Sequence, residues 1–250
     1  LDYGEDEIYK MASAFNEMLD TVEEVFIHEK QFSTDVSHEL RTPVSVILAQ
    51  SDYSLNYTET LKEAIEAFEV INRQAEKMKN LINQIMELSK LERQKEIEKE
   101  RINFSNIILE LLTDYKTLLE LDEEKKINLI IDVEKDLRIY GNRLMLERVF
   151  INLFTNAMKF TETMINVSLK KINKKVVLQV RDDGIGISKK DQKYIWNRFF
   201  QTSNSRNKDK NKGSGLGLSM VNRIVQLHSG TIELESELGK GSCFIIKFPV

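Results

Sequence analysis

The feature that most constrains this chain is a regular row of apolar residues along its first ninety positions. From Ile8 onward, apolar side chains recur at alternating spacings of three and four residues, at positions 8, 11, 15, 18, 22 and 25. This heptad spacing is typical of a helix that packs lengthwise against another helix. The row continues through Phe32, Val36 and Leu40 and resumes after Pro43. We therefore predict long, paired helices in this part of the chain.

A second row of the same kind runs from Leu61 to Ile85. The break before it, at 56–58, predicts a short turn, and either Thr58 or Thr60 could cap the second helix. Two helices joined by such a turn form an antiparallel hairpin, and one hairpin cannot bury two rows this long. We expect two copies of the chain to pair into a four-helix bundle. The alternative is a monomeric hairpin covered by the rest of the chain.

After residues 92–100, which are charged and nearly devoid of apolar side chains, the pattern changes to mixed helix and strand. The spacing predicts helices over 104–121, 142–160, 189–199 and 214–228, and strands over 127–133, 165–171, 176–181, 231–236 and 243–248. Asn173–Lys175 forms a plausible hairpin turn between two of these strands. The predicted fold class is α+β, with a helical hairpin followed by a two-layer α/β sandwich.

Composition excludes several classes of function. A net charge of -4 gives no electrostatic basis for nucleic acid as the main partner. The single cysteine, Cys243, rules out an internal disulfide and a multi-cysteine metal site. No apolar run approaches the roughly 20 residues needed to span a bilayer. The chain begins close to an apolar row already under way, so we expect it to be part of a longer protein.

A proline inside the first predicted helix marks the first candidate for chemistry. Pro43 removes a backbone donor there, at a cost of about 3 kcal/mol. Five residues earlier, His38 falls between the row positions Val36 and Leu40, so its imidazole should face outward. An imidazole beside Glu39 can act as a nucleophile near neutral pH. The alternative is a solvent-facing histidine next to an incidental bend.

Two glycine clusters lie in the second half of the chain. The first, Asp182–Gly186, follows a strand, where a carboxylate can accept a hydrogen bond from an exocyclic amine and glycine lets a ligand approach the backbone. The second, Gly213–Gly217, opens a helix, and a helix start is a ready anion site. Between them, the polar segment 201–212 suits a mobile lid over a charged ligand, or an ordinary surface loop.

Three polar side chains share one face of the apolar helix predicted at 142–160: Asn152, Asn156 and Lys159. Amide oxygens can ligate Mg²⁺ alongside phosphate oxygens, and lysine offsets phosphate charge. Each residue alone could be a helix cap or a buried amide bonded to the backbone. The three together favour a ligand role.

In this order, the motifs resemble those of bacterial two-component sensor histidine kinases, and the resemblance covers nearly the whole chain. The matching segments are 32–43 for the H box, 152–160 for the N box, 182–186 for the G1 box, 196–200 for the F box and 213–217 for the G2 box. Residues 4–25 resemble, less specifically, the last helix of a HAMP linker, which in the family follows a transmembrane helix. Ser229 stands where the family often has a second glycine.

The resemblance implies three segments: the end of a HAMP linker over 1–27, a dimerisation and histidine phosphotransfer hairpin over 28–95, and a catalytic ATP-binding domain of the GHKL type over 96–250. It also implies a homodimer whose partner is the receiver domain of a response regulator, with no role for nucleic acid. The chain would be the cytoplasmic portion of a protein anchored in the inner or plasma membrane upstream of residue 1.

A phosphoryl-transfer site follows from the same resemblance. His38 would attack the γ-phosphorus of ATP, with Glu39 orienting the imidazole or accepting its proton. Thr42 would orient water for dephosphorylation of the regulator, and Asp182 would bind the adenine amino group. Asn156 and Asn152 would hold Mg²⁺, and the other nucleotide-binding residues would be Lys159, Phe160, Gly184, Gly186, Phe199, Gly213, Gly215, Leu216, Gly217 and Leu218.

Two other functions remain open. An ATPase of the gyrase, Hsp90 or MutL type would hydrolyse ATP with water, but it would carry a glutamate where this chain has Asn152, and the H box would be unexplained. A dimeric signalling scaffold with a degenerate nucleotide site would not need Asp182, the glycines and both asparagines. Labelling from the γ-phosphate of ATP, in wild type and His38→Gln, separates the three.

Overall fold

A computed structural model of the chain describes residues 3–121, 126–202 and 213–250. The chain divides into two compact units, Leu1–Ile82 and Asn83–Val250. This boundary falls inside the second helix, so the last turns of that helix belong to the second unit. None of the helices in the described ranges is long and apolar enough to cross a membrane.

The two predicted helices and the short turn between them are present. Helix α1 spans Tyr3–Tyr57 and continues through Pro43, whose side chain is buried. Helix α2 spans Leu61–Arg93. Of the two candidate caps, Thr60 is the one that acts: its Oγ1 accepts from the Glu63 N–H at 3.3 Å, and the Glu63 carboxylate accepts from the Thr60 N–H at 3.3 Å. This reciprocal capping box fixes the start of α2.

The apolar row of α1 is exposed in the single chain. Met11, Phe15 and Val22 keep 71%, 55% and 58% of their surface. A long row of exposed apolar side chains at heptad spacing indicates a surface that packs against another helix.

After the last turns of α2, the described residues of the second unit form seven strands and three longer helices. In chain order these are β1 (Glu100–Asn103), α3 (Phe104–Leu121), β2 (Asn128–Val133), β3 (Arg138–Gly141), α4 (Arg143–Phe160), β4 (Met164–Ile172), β5 (Lys175–Asp182), α5 (Gly217–Leu227), β6 (Thr231–Ser236) and β7 (Ser242–Pro249).

The main sheet has the strand order β2-β4-β5-β7-β6. Only the β2–β4 pair is parallel, and the other neighbours are antiparallel. Strands β1 and β3 form a separate antiparallel pair. The core contains the fully buried rings of Phe104, Phe150, Phe154 and Phe248, together with Leu153 from α4. This is the predicted two-layer α/β domain.

Most of the predicted elements of the second unit are found within two or three residues of their expected ends. Asn142 lies just before α4 and caps it, accepting from the Met145 N–H at 3.2 Å. At the hairpin between β4 and β5, Asn173 and Lys174 both have positive φ, 47° and 63°. Two consecutive left-handed residues are what a tight turn between twisted strands requires.

The predicted helix over 189–199 is wrong, because only a short 3₁₀ turn forms at Asp191–Lys193. The hydrogen bonds of one side chain and the backbone conformation of one residue oppose a helix here. The Gln192 side chain donates to the Ile187 and Ser236 carbonyls, both at 2.9 Å, which ties the segment to its surroundings. Phe199 adopts a positive φ of 59°, which a helix cannot accommodate. The four-residue strands β1 and β3 were not predicted, since they are too short for a periodic signal.

Candidate functional site

One cavity of about 320 Å³ in the second unit collects most of the predicted nucleotide-binding residues. Helix α4 supplies one wall, the end of β5 and the turn after it supply a second, and the start of α5 supplies a third. The predicted residues that line it are Asn152, Asn156, Lys159, Phe160, Asp182, Gly186, Gly213, Gly215, Gly217 and Leu218. Gly184, Phe199 and Leu216 are buried and are not among the residues that line it.

Asp182 lies at the end of β5 and is only 7% exposed. Its Oδ1 accepts from the backbone N–H of Gly184 at 3.0 Å and of Ser242 at 3.3 Å. Burial raises the pKa of this carboxyl above its usual range, and the two hydrogen bonds oppose that shift only in part. The bonds fix one carboxylate oxygen in place, and the second can accept a donor from a ligand.

The start of α5 comes very close to α4. A Cβ at Gly217 would lie 2.7 Å from Oδ1 of Asn152, closer than real Cβ atoms come to other atoms. Gly215 has a φ of +72°, and a Cβ there would lie 2.7 Å from the Cα of Phe199. These glycines allow the backbone of the second glycine cluster to pack against the N box helix and the F box segment.

The polar face of α4 points into the cavity. The Asn152 amide NH₂ donates to the Arg148 carbonyl at 2.9 Å, and its Oδ1 faces Gly217. Burial lowers the pKa of Lys159, whose Nζ lies 4.9 Å from the centre of the Phe160 ring. Two amide oxygens one helical turn apart fit a Mg²⁺ ion that takes its remaining ligands from phosphate and water. Within the described residues, no group of three or more histidine, cysteine or acidic side chains could hold a metal instead.

The segment proposed as a lid lies mostly outside the described residues, since 203–212 are not among them. Its flanks are placed: the Gln201 side chain donates to the Gly213 carbonyl at 2.7 Å. Gln201 and Gly213 are therefore in contact where they line the cavity.

Gln84, near the end of α2, lines the same cavity and was not predicted. The Ser214 hydroxyl donates to its Oε1 at 2.6 Å. The turns around it are attached to the domain by an ion pair of Glu87 with Arg148 on α4, and by Arg223, which donates to the Leu91 carbonyl at 3.1 Å. No local pattern could reveal these contacts, because they join positions more than sixty residues apart.

His38, Glu39 and Thr42 lie together on α1 in the first unit. The imidazole of His38 is exposed in the single chain. The Thr42 hydroxyl lies 3.4 Å from the His38 carbonyl oxygen, which it can reach as a donor. Thr42 and His38 are thus one helical turn apart on one side of α1.

Two family models match the chain. The model described as the His Kinase A (phospho-acceptor) domain matches residues 28–94. The model described as the histidine kinase-, DNA gyrase B-, and HSP90-like ATPase matches residues 141–250. An ATP-binding domain joined to a helical phospho-acceptor hairpin defines the class of protein-histidine kinases.

Two proteins that are similar in sequence to this chain are also named as histidine kinases. Sensor histidine kinase YclK of Bacillus subtilis (strain 168) is 31% identical over 258 aligned residues, covering 99% of this chain and 54% of that protein. ArlS of Staphylococcus aureus (strain USA300), a signal transduction histidine-protein kinase, is 31% identical over 254 aligned residues, covering 99% of this chain and 55% of that protein. The chain therefore belongs to the sensor histidine kinase family, and it spans about half the length of these relatives.

Solved structures show the same fold. The histidine kinase AdeS of Acinetobacter baumannii matches with a TM-score of 0.68 at 23% identity, over 85% of this chain and 97% of that one. The histidine kinase ThkA, solved in complex with the response regulator protein TrrA, matches with a TM-score of 0.72 at 22% identity. The match covers 94% of this chain and 66% of that one.

Proposed function

We propose that the protein phosphorylates itself on His38 from Mg-ATP and passes the phosphoryl group to an aspartate on the receiver domain of a response regulator. The observation that carries this proposal is the cavity itself, in which Asp182, the polar face of α4 and the second glycine cluster converge, in a chain that also presents an exposed histidine in a phospho-acceptor domain.

In the nucleotide site, the Asp182 carboxylate accepts a hydrogen bond from the amino group of adenine, which selects ATP. Lys159 and the backbone amides at Gly215 and Gly217 offset the charge of the phosphates. Asn156 and Asn152 would hold Mg²⁺, which neutralises phosphate charge when bound. Phe160, Gly184, Gly186, Phe199, Gly213, Leu216 and Leu218 complete the set of residues we assign to nucleotide binding.

At the acceptor, a nitrogen of His38 forms the new bond to the γ-phosphorus, and the bond from that phosphorus to the oxygen bridging the β- and γ-phosphates breaks as ADP leaves. Glu39 orients the imidazole or takes up its proton, which leaves the attacking nitrogen unprotonated. Positioning and charge stabilisation supply most of the rate in such a transfer. Thr42 orients water when the same surface dephosphorylates the regulator.

The wider organisation is also part of the proposal. The exposed apolar row of α1 supports a homodimer with a four-helix bundle. We assign residues 1–27 to the end of a HAMP linker, 28–95 to the dimerisation and phosphotransfer domain and 96–250 to the catalytic domain, with a membrane anchor upstream. That ThkA was solved with a response regulator supports the assigned partner class.

Label from the γ-phosphate of ATP tests the function. The wild-type chain should acquire acid-labile label, and His38→Gln should acquire none while still binding ATP. ATP turnover without label would support a hydrolase of the gyrase type, and neither turnover nor label would support a scaffold with an inactive site.

A further inference from the structure

Asp183 follows Asp182 at the end of β5 and makes an unusual number of hydrogen bonds to one short loop. Its Oδ1 accepts from the Thr161 hydroxyl at 2.6 Å and from the backbone N–H groups of Glu162 and Thr163, both at 3.0 Å. Its Oδ2 accepts from the Thr163 hydroxyl. Three consecutive residues thus direct four donors at a single carboxylate.

This loop is the direct continuation of helix α4. Thr161 follows the last helical residue, Phe160, and its N–H donates to the Ala157 carbonyl at 2.8 Å, closing the final turn. The Thr161 side chain is only 5% exposed. Asp183 therefore attaches the C-terminal end of α4 to the turn that follows β5.

Both ends of this attachment are next to residues that line the nucleotide cavity. Lys159 and Phe160 line it from α4, and Asp182 lines it from β5. Between them, a Cβ at Gly184 would lie 2.0 Å from the Phe160 carbonyl oxygen, so the two backbones are in direct contact. The Gly184 N–H in turn donates to Asp182. A shift of the α4 end relative to the turn would move Asp182 and Lys159 apart.

The charge state of Asp183 suits this role. Burial raises the pKa of its carboxyl, but the hydrogen bonds from Thr161 and Thr163 outweigh burial and hold the pKa well below the usual range. The carboxylate is therefore charged at physiological pH, and bonds to a charged acceptor are stronger than neutral ones.

We propose that Asp183 is a positioning residue of the nucleotide site, which sets the spacing between the adenine-binding carboxylate of Asp182 and the phosphate-binding Lys159. Asp183 does not line the cavity, so it acts through its neighbours. This inference rests on the proposed function, because the spacing matters only if one ligand spans both residues.

The test compares Asp183→Ala with Asp183→Asn in the full chain, by the affinity for ATP and for GTP well below the unfolding temperature. Asp183→Ala loses the bonds from all four donors, and we expect ATP affinity to fall about tenfold. GTP affinity should fall less, because its base lacks the amino group that Asp182 selects, so the preference for ATP narrows. In Asp183→Asn, Oδ1 still accepts from Thr161 and from both N–H groups, and most of the preference should return.

Asp132→Ala is the matched control, since this carboxylate pairs with Lys170 at 2.6 Å outside the nucleotide cavity. It should leave both affinities unchanged.

The proposal would be overturned if Asp183→Ala had a lower unfolding temperature but kept the wild-type ATP affinity and the wild-type preference for ATP over GTP. Should Asp183→Ala fail to fold, Thr163→Val removes the hydroxyl bond to Oδ2 and keeps the bonds from the Thr163 N–H, and an ATP affinity and base preference unchanged from wild type would count against the proposal. A wild-type chain that binds no ATP would instead refute the proposed function.

Discussion

At Asp182, burial and hydrogen bonding act on the same carboxyl group in opposite directions. Burial dominates and raises its pKa, while the Gly184 and Ser242 amides hold one oxygen in place. The carboxylate is thus oriented for a ligand donor but takes up a proton at higher pH than an exposed aspartate does. Recognition of adenine should therefore depend on pH.

Adenosine has no phosphate to titrate, so its affinity reports this dependence without a contribution from phosphate. Its affinity should fall on acidification, at a pH above the value of about 3.9 at which an exposed aspartate titrates. Because the folded-state pKa is the higher one, protonation of Asp182 favours the folded state, so binding is lost from a folded protein. Calorimetric titration along a pH series measures the adenosine affinity, and circular dichroism at each pH shows that the protein is still folded. An affinity that stays constant down to the onset of unfolding would contradict this prediction.

Gly217 is the residue at which one added methyl group tests the contact between α5 and Asn152. Alanine is the better helix former by about 1 kcal/mol, so Gly217→Ala at the first residue of α5 should not destabilise the domain by loss of helix propensity. Its Cβ would nevertheless meet Oδ1 of Asn152 at 2.7 Å and displace the amide. We expect Mg-ATP affinity to fall about tenfold or more.

The matched control is Gly213→Ala, whose Cβ would meet only the tip of the flexible Lys159 side chain, at 3.2 Å. Its affinity loss should be clearly smaller. Equal losses in the two variants would show that the contact with Asn152 does not matter.

For single residues, the sequence identifies the motif residues that line the cavity, but not the residues that hold them in place. Asp182, Asn152 and Asn156 stand out because a polar group on a buried element has few structural explanations. Gln84 and Asp183 do not stand out, because a polar position beside the apolar row of a helix and an Asp-Gly turn are both common. Their importance comes from partners 130 and about 20 positions away in the chain.

At the scale of elements, the last turns of α2 pack as part of the catalytic unit. Leu88 and Leu91 are 1% and 4% exposed, and Arg223 donates to the Leu91 carbonyl. The continuous heptad row of α2 gives no sign that its end changes partners. Short strands and turns set by tertiary contacts, such as β1 and the segment around Gln192, are unpredictable for a related reason: their structure is decided by residues far away in the chain.

Two fragments test the role of these turns. A fragment of residues 83–250 should be more stable than one of 96–250 by more than about 2 kcal/mol, since the burial of one leucine side chain contributes about that much. Urea unfolding followed by circular dichroism gives both values. Equal midpoints and slopes for the two fragments would show that the end of α2 adds nothing to the catalytic domain.

At the scale of the whole molecule, the exposed row of α1 predicts a dimer. Light scattering should give twice the chain mass of 29.1 kDa. Phe15→Glu places a charge on the row and should raise the dissociation constant at least about tenfold, because burial of one such ring contributes about 1.5–3 kcal/mol. Asn16→Glu, next to the row, is the control and should remain dimeric. If the wild type were a monomer, this would favour the alternative structure, in which the rest of the chain covers the helical hairpin.

The central claim is that the imidazole of His38 receives the γ-phosphoryl group of an ATP bound between α4 and the two glycine clusters. The most direct measurement is tandem mass spectrometry of peptides prepared without acid after incubation with Mg-ATP. One added phosphoryl group should be found on the peptide that contains His38, and it should be absent in the Asp182→Ala chain, in which His38 is intact. Phosphorylation at any other residue, or on His38 without a functional nucleotide site, would contradict the account.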